Sequence, residues 1–213
     1  MIISRRDALV VGAVGVLPLL ANIIGPQQAW AAQEIDTKGI LHDPDAPESG
    51  NPKGNLTIVS FFDYNCPFCK RAEPDLEKVV KEDGKIRLVY KDWPILTEAS
   101  VYGAQIALGA KYQGKYLIAH NALMSVPGAK NDKATMTKAV QAAGVDMERL
   151  EADIHANADA ISGLLHRTHA QAESMGLMGT PVYLIGQFKV AAALDAAKFR
   201  EVVAQARQRQ AGR

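Results

Sequence analysis

The chain has 213 residues, a formal net charge of +1, a hydrophobic fraction of 48% and a charged fraction of 22%. That is enough for one domain with a packed core and an inserted helical subdomain. No long run of one charge sign appears, so nothing points to a nucleic-acid partner.

The N-terminus reads as an address. Arg5 and Arg6 supply a basic end, residues 8–25 are apolar and uncharged, and Ala29 and Ala31 form an A-x-A cleavage pattern. Residues 1–31 are therefore expected to be a signal peptide, cut after Ala31 or Ala32, whose removal also takes Arg5, Arg6 and Asp7. The competing reading is an uncleaved membrane anchor, because the apolar run approaches the ~20 residues needed to span a bilayer. Pro18, Gly25, Pro26 and the cleavage pattern weigh against it. The sequence from Ser4 to Asp7 hints at twin-arginine export, although Ala8 stands where that signal usually carries a large apolar residue, so the general secretory route stays open. Both routes lead out of the cytoplasm, to the periplasm in an envelope with two membranes, where disulfides persist.

Residues 32–55 contain three prolines and three glycines and no sustained apolar period, which predicts an extended arm. Residues 56–62 (LTIVSFF) are β-branched and aromatic and predict a buried strand. A helix follows from Cys66 to about Glu82, with Leu76, Val79 and Val80 on one face and Asp83-Gly84 as its stop. Pro74 lies inside it and predicts a kink, or a cysteine turn separate from the later helix. Ile86, Leu88 and Tyr90 alternate as a second strand that ends before Trp93-Pro94.

Residues 97–176 are a different kind of sequence. Alanine-rich amphipathic segments cover about 98–125, 133–143, 147–155 and 158–175, separated by Pro127-Gly128, Gly144 and Asn157. Asp146 and Asn157 fit as N-caps. Residues 180–186 and 187–191 then predict a β-hairpin, and a helix runs from Asp195 to about Ala206, leaving 209–213 as a tail. The order is β-α-β, a helical insertion, then β-β-α, with the folded domain over 56–208.

Both cysteines fall in FFDYNCPFCK (residues 61–70). Three chemistries are open to them. Two thiols do not complete a structural zinc site, which takes four Cys or His ligands. The histidines, His42, His120, His155, His166 and His169, read as surface or satisfied helix residues, with only His166 and His169 at neighbouring helical spacing. An inert structural disulfide would close a very short loop and gain little from chain entropy. Redox exchange fits the local structure best. Cys66 stands where a strand enters a helix, so its sulfur meets unsatisfied N–H groups and the positive end of the helix dipole. Such placements lower a thiol from about 8.5 to roughly 3.5–7.5. Pro67 suits the first helical turn, and Cys69, one turn on, is placed to resolve a mixed disulfide. Thr180-Pro181 opens a later strand; a cis bond there would expose backbone for an extended substrate chain.

The chain resembles the DsbA-like thioredoxin-fold proteins of bacterial envelopes, in particular the ScsC-like branch. The resemblance rests on GNPKGN (50–55), FFDYNCPFCK (61–70), DWPIL (92–96) and GTPVYLI (179–185) and covers about residues 40–208. It implies an α/β thioredoxin-like fold with residues 97–176 as its helical insertion. It also implies an exposed nucleophile at Cys66, a buried partner at Cys69, a cis-proline at Pro181, and no cofactor or metal besides the cysteine pair. Thr180, Pro181, Pro67 and Phe68 become the client-facing residues. Two positions depart from the pattern. Relatives often carry a buried acid six residues before the first cysteine, where Ser60 stands here; water, Lys91 or Asp63 would have to serve instead. DsbA has histidine before its second cysteine, where this chain has Phe68, which predicts a weaker oxidant. Phe68 would instead offer an apolar surface to unfolded clients.

Three functions follow. The first is a monomeric oxidase that passes its disulfide to reduced secreted proteins and is restored by a membrane thiol oxidase. The second is an isomerase or reductase acting on misfolded proteins and kept reduced by a membrane donor, a branch that Thr180 favours. The third is a Cu(I)-binding thiol module, since thiolates are soft ligands.

Overall fold

The computed structural model describes residues 35–212, so the predicted signal peptide at 1–31 lies outside the described residues. The first elements are helix α1 (Thr37–Leu41), strand β1 (Glu48–Gly50), strand β2 (Leu56–Phe62), helix α2 (Pro67–Asp83) and strand β3 (Ile86–Asp92). The helical block comprises α3 (Glu98–Ala110), α4 (Tyr116–Ser125), α5 (Lys133–Ala142), α6 (Met147–Ala156) and α7 (Ala158–Ser174). Strands β4 (Val182–Ile185) and β5 (Phe188–Val190) and helix α8 (Ala196–Ala211) complete the chain order.

The five strands form one mixed sheet in the order β1-β3-β2-β4-β5. Strands β2 and β3 run parallel, with α2 as their crossover, while the other neighbours pair antiparallel. All seven residues of β3 are buried, because this strand is covered on both faces rather than on the one face that alternation suggested. Ile58, Phe62, Leu88, Tyr90, Tyr183 and Ile185 face α2, α8 and the helical block. Val59, Phe61, Val89 and Val182 face the other way, onto Ile40, Trp93, Ala172 and Leu177.

Four expectations need correction. The arm is not simply extended: it forms α1 and β1, and β1 pairs with β3 at the sheet edge. Ile40 is buried in the second core, the Tyr90 N–H donates to the Pro47 carbonyl, and Arg87 binds both Glu48 and the Leu41 carbonyl. These are contacts with distant strands, and no local periodicity signals them. The single helix foreseen over 98–125 is two, divided at Gly114, whose φ of 69° is left-handed. Asn157 does not cap α7 through its side chain; its amide donates instead to the Asp153 carbonyl, 2.7 Å away, at the end of α6. Helix α8 continues to Ala211, through most of the predicted tail. Asp146 does cap α6, accepting from the Arg149 N–H at 3.1 Å, and α2 runs unbroken through Pro74.

Candidate active site

Cys66 is the N-cap of α2, with extended backbone (φ −82°, ψ 113°) and Pro67 in the first turn. Proline costs nothing there, since its missing N–H would have had no helical partner. The Cys66 sulfur accepts the backbone N–H of Cys69 at 3.2 Å, so a sulfur performs the capping that an oxygen usually does. On its other side the Cys66 thiol donates to the Thr180 carbonyl at 3.3 Å. The Thr180-Pro181 bond is cis, and this brings residue 180 against the cysteine although the two are far apart in sequence.

The sulfur environment is asymmetric. The Cys66 thiol is lowered to about 6, chiefly by the hydrogen bond from Cys69. Burial opposes that shift, while the Thr180 side chain and the N–H groups of Cys69 and Phe68 assist it. The Cys69 thiol is pushed far upward, first by burial and then by its bond to Cys66. Phe68 thus stabilises a thiolate with its backbone, a contribution invisible when only its side chain is compared with histidine. The expected exposure of Cys66 is corrected: it is 2% exposed, against 1% for Cys69, because the Thr180-Pro181 segment covers its sulfur. Both cysteines are free thiols in this structure.

Beside the pair lies a groove of about 540 Å³ lined by Phe68, Leu177, Met178, Thr180, Pro181 and Ala192. Phe68 is 53% exposed and Met178 95%. Large apolar groups left in water beside a reactive sulfur form a surface that another chain can cover. Pro67 turns instead into a second cleft between α2 and α4.

The two candidates for a buried base are placed elsewhere. Asp63 accepts the N–H groups of Asn65 (2.7 Å), Ile95 (2.8 Å) and Leu96 (3.0 Å), so its carboxylate is occupied in fixing the strand–helix junction. Lys91 sits on the opposite face of β3 from Tyr90, fully buried, 3.7 Å from Asp43. Ser60 lies on the cysteine-bearing face, its Oγ buried with no hydrogen-bond partner among the described residues.

Sequence reading passed over a polar chain beneath α2. Glu73 and His120 are both buried, with Glu73 Oε1 3.1 Å from His120 Nε2 and His120 Nδ1 3.0 Å from the Tyr64 hydroxyl. Phe62, Tyr90 and Tyr116 pack around the imidazole, and the Tyr116 hydroxyl donates to Asp92 at 2.7 Å. One local signal was available: Glu73 falls four residues after Cys69, on the apolar stripe with Leu76 and Val80. Asn65 was also missed. It bridges to the helical block through Thr97 Oγ1 (2.9 Å) and both backbone groups of Asn131.

A strand–CxxC–helix junction facing a cis-proline, on a mixed sheet with a helical insertion, defines a thiol:disulfide oxidoreductase of the thioredoxin-like class. Residues 43–205 match the family model described as Thioredoxin, and the chain belongs to that family. A thioredoxin-like oxidoreductase from Silicibacter pomeroyi superposes with a TM-score of 0.76 at 36% identity, covering 81% of this chain and 98% of that one. The thiol-disulfide exchange protein alpha-DsbA2 from Wolbachia pipientis gives 0.73 at 30% identity, over 79% of this chain and 90% of its own. The catalytic domain of Proteus mirabilis ScsC gives 0.72 at 26%, over 79% and 93%, which supports the ScsC-like branch. Among curated proteins the chain matches a Na(+)/H(+) antiporter NhaA 1 from a Mycobacterium species, 29% identical over 85% of this chain. The chain spans only 31% of that relative's length. Among the described residues no helix is long and apolar enough to cross a membrane.

Proposed function

We propose that the protein is a monomeric envelope oxidase, with Cys66 as the nucleophilic and client-bonded sulfur and Cys69 as the resolving one. The observation that carries this reading is the lowered Cys66 thiol at the α2 N-terminus. A stabilised thiolate favours the reduced form, is a good leaving group, and makes the disulfide an oxidant. Reduced secreted proteins are the clients, and a membrane thiol oxidase restores the disulfide. Export by residues 1–31 to the periplasm supplies the compartment in which such a disulfide persists. The arm of residues 32–55 and the domain of 56–208 make up the mature chain. Trapping the thiols of intact cells by rapid acid quench and alkylation tests the direction: the pair should be mostly oxidised.

A second reading, an isomerase or reductase kept reduced by a membrane donor, draws support from Thr180, whose Oγ1 is buried without a partner among the described residues, beside Cys66. A mostly reduced pair in the cell would select it. A Cu(I)-binding module would instead carry metal at purification and turn over few disulfides in an insulin-reduction assay.

The groove residues are proposed to hold an extended client segment, with its backbone beside Thr180 and apolar side chains against Phe68. Covering a half-exposed phenylalanine ring contributes about 1 kcal/mol. Phe68→Ala should therefore raise KM about fivefold for an apolar cysteine peptide, with kcat carrying little of the change, in steady-state peptide oxidation.

A further inference from the structure

We propose that Glu73 is the group that takes up and returns the proton of Cys69 during disulfide exchange. The inference rests on the site reading above, in which Cys69 is the resolving sulfur.

Buried Cys69 must change protonation state in every cycle. When a client thiolate attacks Cys66 Sγ, the Cys66–Cys69 bond breaks, and the electron pair stays on Cys69 Sγ, which needs a proton. In the reverse direction the Cys69 S–H must give its proton up before its sulfur attacks Cys66 Sγ and the client sulfur leaves as thiolate. The upward shift of Cys69 shows that its anion is not tolerated where it sits.

Glu73 is placed for this exchange. Four residues on, it lies one helical turn from Cys69 on the same buried face of α2, a spacing that brings Cβ atoms to about 5–6 Å. Beneath that face Ser60 is flanked across the sheet by Tyr90 and Tyr183. The Tyr183 phenol is held up first by burial and then by Glu73, Cys69 and Cys66, so one ring senses all three groups. Tyr90 is likewise held up by burial and then by Glu73. The orphan Ser60 hydroxyl therefore sits among residues that feel the Glu73 charge.

Glu73 also has an outlet. It lines the cleft of about 470 Å³ between α2 and α4, with Lys70, Arg71, Glu77 and Asn121. From α4, His120 Nε2 fixes its carboxylate at 3.1 Å, and Tyr64 fixes the other imidazole nitrogen. Asp92 extends the buried polar group through Tyr116. A proton leaving Cys69 passes to Glu73 and from there to water in the cleft, and the return path is the same.

The test follows reduced full-length protein reacting with glutathione disulfide, with acid quench and mass spectrometry reading the Cys66–glutathione intermediate. Formation of that intermediate is step one; its resolution by Cys69 is step two. Glu73→Gln should slow step two at least about tenfold at pH 7, so the intermediate accumulates, with step one within about twofold of wild type. Its step-two rate should then climb more steeply with pH than that of wild type. Glu73→Asp, which keeps a carboxylate one methylene short, should slow step two about threefold. Resolution of Glu73→Gln at the wild-type rate, or equal slowing of both steps, would overturn the proposal. If the Gln variant does not fold, the Asp variant decides: selective slowing of step two supports the proposal, and a wild-type rate or equal slowing defeats it. Absence of any glutathione adduct at Cys66 in the wild type would defeat the site reading itself, a result distinct from failure of the Glu73 assignment.

Discussion

Cys66→Ala is expected to abolish disulfide exchange, and alkylation of the wild-type Cys66 is expected to be half-maximal near pH 6. The thiolate is the reacting form, so its rate of capture by iodoacetamide tracks ionisation. With the thiol lowered to about 6, the rate should rise through that pH and be flat by neutrality, where an ordinary cysteine near 8.5 is still mostly protonated. The same shift appears as stability. In the unfolded reduced chain Cys66 ionises near 8.5; in the folded chain it has already lost its proton two units lower. Between these values the unfolded state binds more protons, so the reduced protein gains stability as pH rises and loses it as pH falls through about 6. Cys69, pushed the other way, stays protonated when folded and works against stability above about 8.5. The window is therefore about pH 6 to 8.5. Across it the thermal midpoint of the reduced form should rise above that of the oxidised form, which has no thiol to ionise. A constant difference from pH 5 to 8.5, or a half-maximal alkylation pH near 8.5, would show that the helix terminus does not tune this sulfur.

The origin of that tuning was legible in the sequence because it is local. A strand, a cysteine, a proline and an apolar helical stripe lie within twenty residues, and each follows rules of period and capping that need no knowledge of the remaining chain. The helical block was legible for the same reason, and its errors are local too: Gly114 turns left-handed and splits one helix into two. What escaped notice depends on distant partners. His120 reads as an ordinary helix histidine until Glu73 and Tyr64, 47 and 56 residues away, are brought to its two nitrogens. The arm has no period because its few contacts are made one residue at a time: Ile40 to the second core, Pro47 to Tyr90, Glu48 to Arg87. Burial of Cys66 was misjudged because its cover comes from Thr180. Lys91 and Asp63 were offered as bases on proximity in sequence, and strand alternation places one behind the sheet while backbone N–H groups saturate the other.

The placement of Lys91 has a consequence for stability that is asymmetric between the two partners. Lys91 is fully buried, and burial depresses its ammonium; Asp43 is the first group to counter this, with a weak further contact from Lys91 Nζ to the Gly39 carbonyl at 3.5 Å. Asp43 is better provided for. Burial raises its carboxyl, but two bonds from Arg167 at 3.2 Å, the Asp45 N–H and Lys91 together hold it below its ordinary value. Asp43→Ala would leave a buried cation with no counter-charge, which typically costs about 3–5 kcal/mol. Lys91→Met removes the cation and leaves Asp43 with Arg167 and a backbone donor, so it should cost less than about 1.5 kcal/mol. The double variant should then be more stable than Asp43→Ala alone, because the methionine removes the charge that the alanine stranded. Urea unfolding of the three variants measures this. Glutathione-disulfide exchange by Lys91→Met should match the wild type, since the lysine faces the core on the far side of β3 from the cysteines. If Asp43→Ala and the double variant unfold at the same urea concentration, the ion pair is solvated and the buried-charge account of this face is wrong.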